Sequence, residues 1–388
     1  MTATEPSTQL RVAVLTATFP PYYAGTGNVA YSQAAGLAER GHEVVVFTAT
    51  YPGVVEDPEA VKVVRLRPIM RLGNAPLLPQ LPSQLKDFDV IHLHQPFIFG
   101  SELAAATAKL RRIPLVSTIH NALVADGWRG QLFDGYSNSV LPLTLRASAV
   151  IAGLTSSHAY SIPQVARELA RHPEKLRLVP NAVDTDRFSP STATPGVRER
   201  WGIPSHAPVA LLCAALDEAH RSKRADLAVA ATARVDGLHL LIVGSGPLAV
   251  ELSSQAADLG VSDRVHFAGL QREALADYYR AADVLVLCSD LESFGLVQVE
   301  AMACARPVII TDLPGARDVS VPGEHGFHVR PGDPEDLTEK LRDLLSLPAE
   351  RRVEMGLAAR QHVLNHFTWK HSIDALEGAL RAAIASGG

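Results

Sequence analysis

Two glutamates, Glu292 and Glu300, enclose Ser293-Phe294-Gly295-Leu296, where a polar loop gives way to a helical run. Phe294-Gly295 opens that helix, Leu296, Val299 and Met302 share one of its faces, and Pro307 ends it. The first N–H groups of a helix have no intrahelical partner, and the helix dipole adds positive charge there. The start of this helix, with the backbone of Phe294, Gly295 and Leu296, therefore suits an anion such as a diphosphate. An ionised carboxylate accepts at two oxygens and donates nothing, which fits Glu300 to the paired hydroxyls of a ribose. Upstream, Ala214 to Arg224 ends in Arg221, Lys223 and Arg224 just before another helix. Cations at a helix start oppose its dipole, so that cluster expects an anionic partner.

Glycines mark two further loops. Gly25 to Ala30, with Gly27, fits G-x-G-x-x-A. Its glycines lie about eight residues past the strand, too far for the tight first turn of an NAD-binding fold, yet they suit a phosphate or a reacting sugar. Gly244-Ser245-Gly246-Pro247 follows a strand and opens a helix, so it reads as a loop where backbone approaches ligand. His120 closes a strand, where an isolated histidine is more often a satisfied polar residue than a catalyst. His92 and His94 share one strand face without a carboxylate partner, which favours packing or cleft polarity over metal ligation. Asp184-Thr185-Asp186 and Asp87-Phe88-Asp89 spell Asp-x-Asp away from any loop after a central strand, and no metal is expected at either.

These residues hang on a strand–helix alternation. Strands are expected over 11–17, 44–48, 61–66, 90–93, 115–119, 149–152 and 176–179, with helices over 28–40, 102–111, 136–147 and 157–169. Residues 68–84, rich in Pro and Leu, read as irregular, and Ser189 to Pro195 as a linker. A second series follows: strands 209–214, 239–243, 265–268, 284–287 and 308–310, and helices 225–234, 248–259, 273–281, 336–345, 349–366 and 368–385. The pattern predicts an α/β protein of two Rossmann-like domains facing each other across a cleft, with ligands at the carboxyl ends of the strands.

The chain has 388 residues, 47% hydrophobic and 20% charged, a globular balance with room for two domains. A net charge of −5 argues against nucleic acid as a partner. Cys213, Cys288 and Cys304 sit in or beside apolar elements and read as reduced core thiols. Met1 to Leu10 lacks the apolar core of a signal peptide, and no apolar run is long enough to span a bilayer, so a cytoplasmic location is expected.

The stretch from Glu292 to Glu300, followed by Ala301-Met302-Ala303-Cys304 and the Pro307-Val308 strand, resembles the donor-binding motif of the GT4 family of retaining glycosyltransferases. Ala305 departs from it, since glycine is usual there. The resemblance implies the GT-B fold, with an acceptor-side domain over 1–182, completed by the helix at about 368–388. It also implies a nucleotide-sugar-binding domain over 183–367. Glu292 would orient the sugar, Glu300 hold the ribose, and His120 contact the donor sugar. Gly25 and Gly27 match the family's N-terminal glycine loop, although Ala24 stands where a glycine is common. Lys223 matches the family's diphosphate lysine. The companion arginine falls at Ala215, so Arg221 or Arg224 would supply the second charge. Leu270 marks where the base would rest. The expected reaction is retaining transfer of a hexose or N-acetylhexosamine from a nucleotide sugar, UDP by family frequency, to a soluble small molecule. An aminocyclitol of antibiotic biosynthesis is the suspected acceptor. No metal or other cofactor is expected, and the oligomeric state is left open. The competing readings are a nucleotide-sugar epimerase or hydrolase on the same frame, transfer to a lipid, and a non-catalytic binding protein.

Overall fold

Strands covered on both faces are written as unbroken apolar runs, and the two sheets of this protein are built from such runs. The computed structural model describes residues 9–386 except 22–24, 52–56, 74, 122–126 and 192–195. The chain divides into two units, Met1–Asn181 with Trp369–Gly388, and Ala182–Thr368. The crossings thus lie beside Ala182 and Thr368. The Ser/Thr/Pro-rich stretch expected to link the domains falls inside the second unit instead, and its residues 192–195 lie outside those described.

The first unit opens with β1 (Arg11–Leu15), α1 (Gly25–Glu39), β2 (Glu43–Ala49) and β3 (Lys62–Leu66). The next stretch, expected to be irregular, forms an antiparallel hairpin, β4 (Met70–Leu72) and β5 (Ala75–Leu77), and a short helix, α2 (Leu81–Gln84). Then come β6 (Val90–Gln95), α3 (Gly100–Arg111) and β7 (Leu115–Ile119). The helix expected over 136–147 is two, α4 (Gly127–Ser139) and α5 (Leu141–Ala147), because Pro142 has no N–H to continue the ladder. After β8 (Val150–Gly153), Pro163 divides the next helix in the same way into α6 (Ser156–Ser161) and α7 (Pro163–Arg171), followed by β9 (Leu176–Leu178). The sheet is parallel and seven-stranded, in the order β3-β2-β1-β6-β7-β8-β9.

The second unit holds α8 (Val197–Arg200), β10 (Val209–Cys213), α9 (Ala225–Arg234), β11 (His239–Val243), α10 (Leu248–Asp258) and β12 (Val265–Gly269). It continues with α11 (Leu275–Ala281), β13 (Val284–Leu287), α12 (Leu296–Ala303), β14 (Val308–Thr311), β15 (Gly326–Val329), α13 (Pro334–Ser346) and α14 (Ala349–His366). The order β12-β11-β10-β13-β14-β15 is again all parallel. β15 was not anticipated, because Gly326-Phe327-His328-Val329 mixes polar and apolar residues as an edge strand does. Finally α15 (Trp369–Ser386) returns to the first unit, where Ile373, Leu376, Leu380 and Ala383 pack with Ala30, Ala34 and Leu37 of α1 and with Val12 and Val14.

Ala305, where the motif favours glycine, sits just beyond α12 with φ +56°. The usual glycine thus answers a left-handed backbone position at the end of the helix, rather than close approach to a ligand. Holding an L-residue there costs about 1–2 kcal/mol. Ala305→Gly should therefore raise stability by about 1 kcal/mol, read as a higher urea midpoint at unchanged m.

Candidate active site

In each sheet the strand order reverses beside the first strand, between β1 and β6 and between β10 and β13. Adjacent connections there leave to opposite faces, and a crevice opens at the carboxyl ends. The loops after β10 and β13 therefore meet at the reversal of the second unit. Asp217 caps a turn of 3-10 helix, Glu218–Lys223, accepting from the N–H of His220. The end of β13 then pins that loop at three points. The Asp290 N–H donates to Ser222 O at 2.7 Å, the Cys288 thiol donates to Arg224 O at 3.0 Å, and Arg224 Nη1 pairs with Asp290 Oδ2 at 3.1 Å. So held, Lys223 Nζ reaches Glu292 Oε2 at 2.7 Å, with the carboxylate side chain only 11% exposed. The other oxygen of Glu292 accepts the Ser293 N–H at 3.1 Å.

Gly295 leads into α12 with φ +80°. A β-carbon there would lie 2.7 Å from Gln298 Nε2, so conformation and space both require glycine. Gln298 is wholly buried and donates to the carbonyls of Phe294 (2.7 Å) and Ala316 (3.1 Å). The Phe294 ring is buried edge-on against Phe367, 5.6 Å between centroids, and leaves only its backbone for ligand. On the next turn of α12, half-buried Glu300 accepts from Tyr279 Oη at 2.6 Å through Oε2. Burial lifts the Glu300 carboxyl to about 7, against the opposing pull of the Tyr279 hydrogen bond and the Arg187 charge.

The donor-loop residues named from the sequence have partners within the second unit. The Arg221 guanidinium binds Glu218 (2.9 Å) and Glu251 (2.9 Å) together and ties its turn to α10. Arg224, the alternative, is shared between Asp226 and Asp290. Lys223, the third cation of this turn, is paired with Glu292. The Gly244 N–H donates to Gly269 O at 2.9 Å. A β-carbon on it would lie 1.7 Å from Ala214 O, so glycine is needed there to seat one loop on another. Leu270 follows that pairing at the end of β12 and is 59% exposed.

In the first unit Gly25 and Gly27 belong to the first turn of α1, not to a loop before it. A β-carbon at Gly27 would meet Thr18 O at 2.8 Å, whereas at Gly25 it would meet nothing within 4 Å. Ala24 lies outside the described residues. His120, at the end of β7, is buried, and its Nε2 lies 2.8 Å from His94 Nδ1 with the rings stacked at 5.1 Å. His92 Nε2 bonds Thr118 Oγ1 at 2.8 Å. Burial pulls His92 and His120 down to about 3 and His94 well below the usual histidine value, so all three are neutral at pH 7. Among the described residues no group of three His, Cys, Asp or Glu has a metal-holding arrangement. Asp184 spends its Oδ1 on the N–H groups of Asp186 and Arg187, and Asp89 its Oδ2 on that of Arg11. Sequence reasoning missed Tyr279 and Gln298. The signal for Gln298 was an amide on the inward side of an otherwise apolar helix; Tyr279 gave none beyond its place in a buried run.

Two parallel Rossmann-type sheets of this order, with a basic turn and a helix start converging where one of them reverses, define a GT-B glycosyltransferase. Solved structures share the fold. Sucrose-phosphate synthase from Thermosynechococcus elongatus matches with a TM-score of 0.79 over 97% of this chain and 100% of that one, at 24% identity. Anabaena Alr3699/HepE in complex with UDP-glucose matches with a TM-score of 0.76 over 96% and 100%, at 18% identity. The family model "Glycosyltransferase Family 4" matches residues 23–187, and "Glycosyl transferases group 1" matches residues 196–362. A D-inositol 3-phosphate glycosyltransferase of Geodermatophilus obscurus is 31% identical, over 89% of this chain and 82% of that one. The chain belongs to glycosyltransferase family 4. No helix among the described residues is long and apolar enough to cross a membrane.

The neutral histidines make the first unit acid-sensitive. Their folded values lie below the unfolded value, so the unfolded chain takes up protons first as pH falls through about 6.5, and the stability present above that pH is lost. Thermal melts in low salt should show a loss approaching about 1.4 kcal/mol per pH unit for each such histidine between about pH 6 and 4, and His94→Gln should flatten the slope by about a third.

Proposed function

We propose that the protein moves a hexose or N-acetylhexosamine from a UDP-sugar, with retention at the anomeric carbon, to a small cyclitol acceptor. The reaction runs in the cytoplasm without metal or other cofactor. The observation that carries this reading is the Lys223–Glu292 pair, 2.7 Å long, beside the glycine-led start of α12 at the reversal of the second sheet. A diphosphate seated there meets Lys223 and the N–H groups of Phe294 to Leu296, while Glu300 takes the ribose hydroxyls. As the bond from the anomeric carbon to the phosphate oxygen breaks, negative charge gathers on the phosphate and positive charge on the sugar ring. Lys223 and the helix start stabilise the first, and Glu292 orients the hydroxyls of the second. The acceptor oxygen bonds to the same face of the anomeric carbon and passes its proton to the departing phosphate oxygen.

The acceptor class rests on the relatives, whose names specify D-inositol 3-phosphate as acceptor. A cyclitol ring is the shared feature, and an amino-substituted ring would fit a role in antibiotic biosynthesis. UDP release should be followed with UDP-glucose and UDP-N-acetylglucosamine against inositol 3-phosphate, inositol and an aminocyclitol. Release that needs a cyclitol supports the reading, and equal release without acceptor overturns it in favour of a hydrolase. Lys223→Ala should lower kcat by about 10²-fold or more. Glu300→Ala should weaken UDP binding by about 10- to 100-fold, measured by calorimetry.

A further inference from the structure

Tyr279 is a buried polar group that the proposed reaction leaves unused. It sits on α11 with no exposed surface, its ring edge-on to Phe188 at 5.8 Å. A buried phenol must find an acceptor, and a core tyrosine commonly finds a backbone carbonyl. This one donates across to the neighbouring helix, to Glu300 Oε2 at 2.6 Å, a length typical of a hydroxyl bonded to an ionised carboxylate. Glu300 Oε1 has no hydrogen-bond partner among the described residues. One oxygen is therefore committed to the core, and the other is left for a ligand.

We propose that Tyr279 is a positioning residue for nucleoside recognition: its hydroxyl fixes the rotamer of Glu300 so that the carboxylate meets both ribose hydroxyls, selecting ribonucleotides over deoxyribonucleotides. Tyr279 acts through Glu300 and touches no part of the donor, so this inference rests on the reading of Glu300 as the ribose ligand. Tyr279 also favours the ionised carboxylate. Burial raises Glu300 to about 7, and the Tyr279 hydrogen bond works against that rise. The other charged or titratable groups around Glu300 are Arg187, which favours its ionised form, and the thiols of Cys213 and Cys304, both raised by burial and uncharged at neutral pH. Only the ionised form accepts from two hydroxyls at once, so nucleotide affinity rises with pH through the Glu300 titration. Loss of the phenol hydroxyl moves that rise to higher pH.

The test is calorimetric titration of the full chain with UDP, 2′-deoxy-UDP and 3′-deoxy-UDP across the range of about pH 6 to 9, which brackets the Glu300 titration. Tyr279→Phe keeps the ring and removes the hydroxyl. It should weaken UDP binding by about tenfold at pH 7, shift the pH midpoint of binding up by about one unit, and shrink the preference for UDP over both deoxy analogues to about threefold or less. Donor KM should rise while kcat stays within about twofold, as expected for a lost ground-state contact. A Tyr279→Phe protein that keeps the wild-type midpoint and the wild-type preference overturns the proposal, because a purely structural tyrosine moves neither. Glu300→Gln and the Tyr279→Phe/Glu300→Gln double variant close the cycle: losses that are not additive support the coupling, and additive losses overturn it. Glu300→Gln with unchanged UDP affinity instead removes the reading of Glu300 itself, an outcome distinct from failure at Tyr279.

Discussion

The site of the second unit depends on a reversal in the order of a parallel sheet. β10 pairs with β11 on one side and with β13 on the other, so the connections after β10 and β13 leave to opposite faces. Only there can a turn that follows one strand approach a helix that follows another without a strand between them. The ends of those connections are then joined by the bond from Asp290 to Ser222, the thiol bond from Cys288 to Arg224 and the Arg224–Asp290 pair. Lys223 and Glu292 meet because their backbones are already fixed side by side. The fixed backbones set the reach of the two side chains, so the pair forms at one place on the site.

How much of this was legible in the sequence follows from how far apart the participants lie along the chain. The helix start, Gly295, Glu292 and Glu300 occupy one contiguous stretch, and local rules of helix initiation were enough to place that start. The strands were legible because full burial erases alternation and leaves plain apolar runs. Partnerships were not. Lys223 and Glu292 are 69 residues apart, Tyr279 and Glu300 are 21, and His94 and His120 are 26. Each pair depends on which strands or helices become neighbours, and no local pattern states that.

Arg221 and Gly244 show the same limit. A basic side chain at a helix start does argue for an anionic partner, and Arg221 has one, but it is Glu251, thirty residues along on α10. A glycine after a strand does argue for close backbone approach, and Gly244 has that too, against Ala214 of its own unit. The physical inference held in both cases, while the identity of the partner did not follow from it. At Ala305 the glycine usual in the family answers a left-handed backbone angle, which the motif alone does not state.

The Lys223–Glu292 pair bears on why such a site can accelerate the proposed transfer rather than merely bind its donor. With no anion present the pair is already neutral, so the gain in net attraction for a diphosphate is modest and comes mainly from the N–H groups at the start of α12. When the glycosidic bond to phosphate breaks, charges of opposite sign develop a few ångströms apart. A fixed pair with its cation at the phosphate and its anion at the sugar forms a dipole opposed to that separation, and it interacts more strongly with the transition state than with the bound donor. Because neighbouring strands and helices hold both ends in place, that interaction needs no rearrangement at the moment of reaction. Glu300 and Tyr279 lie outside this charge flow, so their contribution falls on binding and on the choice of nucleoside.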